Sequence, residues 1–223
     1  MQEFPAAVFR LPERDQALDY LRVILTQVAL FAVVYGGCNW LTSQRDDVGH
    51  YYFSWELGLL FIAGMIWVYH SILLLFLMPM FLFSREQVQA VGRAFAGVTL
   101  AGGVCFLLFP GVAGFPRSDF ANEAGLQALA FSILYHADNV HNVMPSLHVA
   151  YCTLVILAIQ KQLEGSRLRL LFWGWLLAIV SSTVLVHQHH LIDLPTGALL
   201  GYAGYRLFLR WSEGKQVAAP VAV

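Results

Sequence analysis

Charged residues are scarce in this sequence. Lys, Arg, Asp and Glu make up 12% of its 223 residues, about half of the roughly 25% that is typical of proteins in general. Hydrophobic residues make up 58% of the chain, and the mean hydropathy is +0.63. A soluble domain of this length cannot bury so much apolar surface. The composition therefore excludes an ordinary globular protein and predicts an integral membrane protein.

Three further absences limit what the protein can be. The formal net charge of -1 excludes a nucleic-acid-binding protein that depends on bulk electrostatics. Only three cysteines are present, Cys38, Cys105 and Cys152, and their odd number argues against a disulfide framework. No small-residue cleavage site follows the first apolar run, so we expect no removable signal peptide.

Six apolar segments make up most of the chain. A helix needs about 20 apolar residues to cross a bilayer, so we expect each segment to extend into flanking polar residues. The second segment exceeds this length, and its first part is expected to tilt or to lie along the interface. The sequence therefore predicts an all-α integral membrane protein with a cytoplasmic N-terminal segment 1–22, a six-span domain 23–211 and a cytoplasmic tail 212–223. The segments run from Val23 to Trp40, Leu57 to Phe83, Ala94 to Phe109, Val143 to Ile159, Leu170 to Val186 and Leu194 to Leu209.

The distribution of basic residues predicts the orientation of this domain. With both chain ends on one side, that side receives eleven of the 13 Lys and Arg residues, and the other side receives only Arg45 and Arg117. Cytoplasmic loops carry an excess of Lys and Arg, so both ends should be cytoplasmic. All histidines except His70 fall in or beside the opposite loops. We therefore expect the chemistry at the outer face, which is the periplasmic face if the protein lies in a bacterial inner membrane.

Small residues mark where the helices should approach one another closely. Gly197 and Gly201 are four residues apart in the last segment, a spacing that is typical of contacts between transmembrane helices. Gly97, Gly102 and Gly103 could serve the third segment in the same way.

Two short stretches carry the candidate chemistry, and the first is Pro145-Ser146-Leu147-His148. Pro145 suits the first turn of a helix, so the fourth span is expected to begin there, at the outer face. Free N–H groups and the helix dipole would make this end an anion site. Ser146 adds a hydroxyl and His148 lies one turn further on. The alternative is a helix cap with a chance histidine.

The second stretch begins with Ser182-Thr183. His189 follows after five intervening residues, and Asp193 follows His189 after three more. Residues four apart share a helix face, so His189 and Asp193 should be in contact. A carboxylate bonded to one ring nitrogen fixes the imidazole tautomer and leaves the other nitrogen free to attack. The alternative is that Asp193 only caps the helix that follows it.

The two stretches resemble motifs of the type 2 phosphatidic acid phosphatase family, which shares its helical core with vanadium haloperoxidases. The second motif of that family is Pro-Ser-Gly-His. Its third motif is Ser-Arg, followed after five residues by His and after three more by Asp. Both spacings are intact here. The flanking residues 142–144 and 187–195 resemble the bacterial branch related to inositol phosphorylceramide synthases. The resemblance implies that His189 attacks phosphorus and becomes a phosphohistidine, Asp193 orients it, and His148 protonates the leaving oxygen, with no metal or other cofactor.

The sequence departs from this family where phosphate-binding cations are expected. Thr183 replaces the Arg of the third motif. The first motif of the family, in which a Lys is followed after six residues by Arg-Pro, is not present. Arg117 is the only basic residue in the loop before Pro145, with an interfacial anchor as its alternative role. We expect protonated histidines to supply the missing donors, and activity should then fade as they lose charge between about pH 5 and 8. The predicted phosphate-binding residues are Arg117, Ser146, Ser182, Thr183, His141, His187 and His190.

Several functions remain open on sequence alone. The leading hypothesis is a lipid phosphate phosphatase acting on phosphatidate, phosphatidylglycerol phosphate, a prenyl phosphate or a lysolipid. A head-group phosphotransferase of the inositol phosphorylceramide synthase type shares every step up to the phosphoenzyme. Less favoured are a non-enzymatic lipid transporter, an intramembrane serine protease and a metalloenzyme. The metalloenzyme would hold zinc with His148, His187, His189 and Asp193.

Overall fold

The computed structural model describes residues 11–117, 125–163 and 167–213, so residues 1–10 and 214–223 of the predicted end segments lie outside it. Its regular structure is helical, apart from isolated bridges that pair Gly49 with Gly111 and Val112 with His141. The three cysteines are free thiols, as predicted. The helices are α1 (Arg14–Ser43), α2 (Ile66–His70), α3 (Ile72–Leu82), α4 (Arg85–Leu108), α5 (Leu126–Ala137), α6 (Leu147–Gln162), α7 (Leu168–Leu185) and α8 (Asp193–Glu213).

Four helical stretches in the described residues are long and apolar enough to cross a membrane. They are α1, the stretch Ala63–Leu82 that contains α2 and α3, α4, and α7. Helices α6 and α8 match the fourth and sixth predicted segments, but α6 has only 16 residues and α8 contains Asp193, Arg206 and Arg210. An all-α protein with potential membrane spans is therefore confirmed, whereas a crossing by all six segments stays a prediction.

Polar contacts explain why α1 begins nine residues before the predicted apolar segment. Its first turns are amphipathic, and their polar side chains bond to the turn between α3 and α4. The Gln16 amide donates to the carbonyls of Met80 and Phe83 at 3.2 and 2.9 Å, and Asp19 forms an ion pair with Arg85. The helix can therefore extend beyond its apolar part without leaving these groups unpaired.

Helix α6 lies at the centre of the bundle, in contact with α3, α4, α7 and α8. Gly197 and Gly201 of α8 lie against its backbone, as the sequence predicts. A Cβ atom at Gly201 would lie 2.3 Å from the carbonyl oxygen of Ala150, and one at Gly197 would lie 2.5 Å from that of Ser146. This close approach brings the start of α8 beside the start of α6, where the Ser146 N–H donates to the Asp193 carbonyl at 3.2 Å.

The predicted glycines of α4 also lie at helix contacts. A Cβ atom at Gly102 would meet Leu147 of α6 at 2.6 Å, and one at Gly103 would meet Val34 of α1 at 2.5 Å. At Gly97 the nearest atom, on Leu207 of α8, would be 3.5 Å away, so this position is less crowded. Two of the three glycines therefore allow α1 and α6 to pack closely on α4.

Candidate active site

The loops 44–62, 109–117, 138–146 and 186–192 meet at one end of the bundle, which we call the site end. The Ile62 N–H donates to the Leu185 carbonyl at 2.8 Å, and the Gly49 N–H donates to the Pro110 carbonyl at 2.8 Å. Both predicted stretches lie at this end. The topology therefore brings together motifs that are about forty residues apart in the sequence.

His189 and Asp193 form a buried pair at the site end. The Nδ1 atom of His189 lies 3.3 Å from Oδ2 of Asp193, and the two residues are 5% and 0% exposed. Asp193 is the first residue of α8 and His189 lies in the turn before it, so the prediction that they share a helix face is wrong, although the contact is confirmed. When Nδ1 donates to the carboxylate, Nε2 carries the lone pair and can act as a nucleophile.

The turn that carries His189 is tightly bonded to its flanking helices. The Thr183 carbonyl of α7 accepts the N–H groups of both Gln188 and His189, at 2.9 and 3.1 Å. Asp193 Oδ2 also accepts the N–H of His190 at 2.8 Å. Asp193 therefore holds the turn as well as the imidazole. Among the described residues, its side-chain contacts go to this turn and not to the first N–H groups of α8, so they support the orienting interpretation and not the alternative that Asp193 only caps the helix.

The second predicted histidine, His148, lies in the first turn of α6. This helix begins at Leu147 and not at Pro145, because Ser146 is its N-cap and its hydroxyl oxygen accepts the Val149 N–H at 3.2 Å. The His148 ring stacks on Tyr69 of α2, with ring centroids 4.0 Å apart. Its Nε2 atom is buried and has no hydrogen-bond partner among the described residues, which leaves this nitrogen available to a substrate.

His148 and His189 line the same cavity, whose volume is about 760 Å³. Asp138 and Asn142 line the same end, and the rest of the wall comes from α1, α2, α3, α4 and α6. Most of the lining side chains are apolar, so the two imidazoles lie at the polar head of an otherwise apolar space. This arrangement can present a buried nucleophile and a proton donor to an amphiphilic substrate.

Two of the remaining predicted phosphate-binding residues, Ser182 and Thr183, are engaged within their own helix. The buried hydroxyls of Ser182 and Thr183 donate to the Ile179 and Val180 carbonyls of their own helix, at 2.6 and 2.8 Å. Neither residue lines the cavity. These hydroxyls are therefore directed along α7, as is common for Ser and Thr within helices.

Arg117 connects the end of α5 to the loop that follows it. Its guanidinium donates to the carbonyls of Tyr135, at 3.0 Å, and Asp138, and its Cζ atom lies 4.7 Å from the centre of the Tyr135 ring. These contacts favour the anchoring role over direct phosphate binding. The position of Asp138 at the head of the cavity then depends on Arg117.

His190 packs behind the turn that carries His189. It is 1% exposed, its Nδ1 lies 3.3 Å from Oε2 of Glu56, and its Nε2 accepts the Gly114 N–H at 3.0 Å. Its ring is stacked between Tyr52 and Phe115. Both ring nitrogens are thus used within the protein, and neither is left for a phosphoryl oxygen.

The surroundings of His141, His187 and His190 oppose a positive charge on their side chains. Burial lowers the pKa of His141, His187 and His190 below the usual value of 6.5. The Nε2 atom of His187 lies 3.0 Å from the Leu59 carbonyl, which partly offsets the effect of burial. These contacts and pKa directions do not support the expectation that protonated histidines replace the missing Arg and Lys.

Sequence reasoning missed Glu56, which is 1% exposed. Its carboxylate accepts the Phe53 N–H at 3.0 Å and the Leu191 N–H at 2.8 Å, besides the contact with His190. Burial alone would raise the pKa of Glu56, but these donors lower it below its ordinary value. The signal was present in the sequence, since Glu56 is the only acidic residue between Asp47 and Glu86.

Asp138 was also missed, although it precedes His148 by only ten residues. Its Oδ1 accepts the Tyr35 hydroxyl of α1, and its side chain lines the cavity with His148 and His189. Burial raises the pKa of Asp138, against the opposing effects of Tyr35, His189 and Arg117. The carboxyl group of Asp138 therefore lies at the head of the cavity and tends to stay protonated.

The residues proposed for a zinc site do not form one. In the described ranges, no three His, Cys, Asp or Glu side chains are grouped so that they could hold a metal ion. Of the four suggested ligands, only His189 and Asp193 form a hydrogen-bonded pair with each other.

Comparison with known proteins identifies the family. The family model described as the PAP2 superfamily matches residues 56–207, which include both motifs, Glu56 and Asp138. The chain therefore belongs to the PAP2 superfamily. Searches of curated proteins and of solved structures returned no match.

Proposed function

From its membership of the PAP2 superfamily, whose members are generally phosphatases, we propose that the protein is an integral-membrane lipid phosphate phosphatase acting through a phosphohistidine. The observation that carries the proposal is the cavity head, where His189, held by Asp193, and His148 face the same space. A nucleophile with an orienting carboxylate and a nearby proton donor is the arrangement that covalent phosphoryl transfer requires.

The reaction would proceed in two displacements. Nε2 of His189 attacks phosphorus and forms a P–N bond, the P–O bond to the lipid alcohol breaks, and the leaving oxygen takes a proton from Nε2 of His148, whose protonation in this buried position would require the negative charge of the bound phosphate. His148, now neutral, then removes a proton from water, whose oxygen attacks phosphorus and breaks the P–N bond. Phosphate leaves, His148 is again protonated, and His189 returns to its starting state.

The N-terminal end of α6 supplies positive potential near His148. The first N–H groups of a helix have no carbonyl partner within the helix, and the helix dipole adds partial positive charge at the same end. In α6 the Ser146 side chain satisfies the Val149 N–H, so the N–H groups of Leu147 and His148 are the ones available to a phosphoryl oxygen. Such fixed donors stabilise charge that develops during the reaction.

We infer the membrane location from the apolar spans and from the loop charges. Most basic residues of the described helices and loops lie toward the end opposite the site end, so the positive-inside rule would direct the site end to the outer face. In a bacterial inner membrane this would be the periplasmic face. The apolar cavity below the histidines supports a lipid phosphate as the substrate.

A phosphotransferase is the second candidate. Asp138 and Tyr35 lie at the cavity head and are bonded to each other, so the hydroxyl of an acceptor alcohol would find a polar partner beside His189. Both reactions share the phosphohistidine and differ only in whether water or an alcohol attacks it. The two therefore differ in product and not in the first displacement.

The test is phosphate release by the purified protein from a panel of lipid phosphates, with and without an added alcohol. The His189→Asn and His148→Asn variants should each lose at least about a thousandfold in kcat. Vanadate should inhibit the wild type, and a strong chelator should not. The control is His136→Asn, because His136 is exposed and bonds only to its own helix at the Ser132 carbonyl; it should stay within about twofold of wild type. Full activity of His189→Asn would refute the mechanism.

A further inference from the structure

We infer that the apolar part of the cavity is a binding groove for a single hydrocarbon chain of the substrate, with a length limit built into its far end. The inference rests on the proposed function, since the groove starts at the proposed catalytic histidines. A second chain, if the substrate has one, would remain in the surrounding bilayer. We call this part of the cavity the chain groove, and its walls are the lining residues of α1, α3, α4 and α6.

Helix α1 provides one continuous wall of the chain groove. Its lining residues recur every three or four positions, so they form a single stripe along the helix. Helix α3 forms the opposite wall. Phe95 and Thr99 of α4 and Tyr151 of α6 form a third wall between them. The α1 stripe consists of Ala17, Tyr20, Leu21, Ile24, Gln27, Val28, Phe31 and Tyr35.

The dimensions fit one chain. From Tyr35 to Ala17 the stripe covers 18 residues, which is about 27 Å at about 1.5 Å per residue. An extended chain advances about 1.2 Å per bond, judged from the peptide backbone, so this length takes about 22 bonds. At about 30 Å³ per methylene-sized group, a chain of about 22 such groups fills about 660 Å³, which the cavity of about 760 Å³ accommodates.

The far end of the chain groove is closed by bonds between α1 and the end of α3. The Gln16 amide binds the Met80 and Phe83 carbonyls, and the Tyr20 hydroxyl donates to the Phe76 carbonyl. Tyr20, Phe76 and Met80 all line the groove. These bonds hold the two helices together, so a chain that reaches Ala17 cannot extend further.

The side of the chain groove is open between α1 and α3. Leu21 and Val28 of α1, and Leu73 and Leu77 of α3, line the groove and yet are 51%, 59%, 62% and 44% exposed. On a helix that crosses a bilayer, such exposed apolar side chains contact lipid. A hydrocarbon chain could therefore enter sideways from the bilayer without crossing water.

The first test narrows the groove halfway along its length. Ile24 lies eleven residues from Tyr35, about 16 Å along α1. In Ile24→Trp the ratio of kcat/KM for hexadecyl phosphate over octyl phosphate should fall about tenfold, because only the longer chain reaches the new indole. The control is Ala29→Trp, an exposed position of the same helix that does not line the groove, and its ratio should stay within about twofold. An unchanged ratio in Ile24→Trp, or an equal loss on both substrates, would overturn the inference.

A second measurement does not depend on catalysis. Docosyl phosphate, whose twenty-two carbons match the length of the chain groove, with a diazirine at its terminal carbon should, after illumination, label Ala17, Tyr20 or Met80 in the wild-type protein. Labelling confined to the exposed side chains of α7, such as Leu170 and Leu171, would overturn the inference. Labelling at the groove end without any phosphate release would support the chain groove and reject the proposed reaction, so the two failures are distinguishable.

Discussion

Glu56 offers a sharp test of how the catalytic turn is held. It contributes nothing to the cavity lining, and the proposed chemistry does not use it. Its carboxylate nevertheless binds two backbone N–H groups and the imidazole of His190, the residue that follows the nucleophile. We therefore predict that Glu56→Gln, which preserves shape and removes only the charge, lowers both stability and kcat.

The magnitude follows from the number of donors. Oε1 of Glu56 accepts one N–H and Oε2 accepts a second, so whichever way a glutamine amide is turned, its NH₂ group faces a backbone donor. One buried donor then loses its partner, at a cost of about 1–3 kcal/mol, and the hydrogen bonds that remain lose their ionic character, worth about 1 kcal/mol more. If the His189 turn moves by about 1 Å to relieve this, kcat should fall about a hundredfold.

The assay compares Glu56→Gln with Asp47→Asn, since both remove one carboxylate charge from the same loop region. Asp47 is 73% exposed and pairs with Arg45 at the surface, where an ion pair contributes little to stability. The thermal midpoint in detergent and kcat for a lipid phosphate should change only in Glu56→Gln. Wild-type values for that variant would show that His189 does not depend on the Glu56 contacts.

Two further predictions concern helix packing and pH. Gly201→Ala should lower the free energy of unfolding by about 1–3 kcal/mol, because its Cβ would overlap the Ala150 carbonyl of α6. The control is Gly174→Ala, at an open position of α7, which should be neutral or slightly stabilising. Thermal unfolding measures both. Wild-type activity should fall as pH rises through the raised pKa of Asp138, because the ionised carboxylate repels phosphate, and pH–rate profiles of Asp138→Asn should lack this decline. A decline that persists in Asp138→Asn would instead favour loss of protons from histidines.

Local contacts were the part of the site that the sequence could predict. The contact between His189 and Asp193 was predicted from their separation of four residues, although a turn and not a helix face brings them together. The close packing of α8 on α6 follows from the spacing of Gly197 and Gly201. Each of these inferences uses only positions within one or two helical turns, where the geometry of the chain leaves little freedom.

Contacts between distant segments could not be predicted in the same way. Glu56 lies 134 residues before His190, and the chain groove combines residues of four helices. The roles of Ser182 and Thr183 were misjudged for a related reason, because a motif fixes the spacing of hydroxyls but not their direction. Once these residues lie within α7, the carbonyls three residues earlier are the nearest acceptors.

The missing phosphate-binding cations and the chain groove belong to one physical argument. Arg117 is occupied by backbone carbonyls, and burial opposes a positive charge on His187 and His190, so the proposed site would hold a phosphoryl group mainly through helix N–H groups. Such a site should bind a free phosphate ester weakly. Binding energy from a remote part of the substrate can offset this weakness by holding the phosphorus atom in line with His189. The long apolar wall of α1 is the part of the protein that can supply it, which is why the chain of the substrate should govern kcat as well as KM.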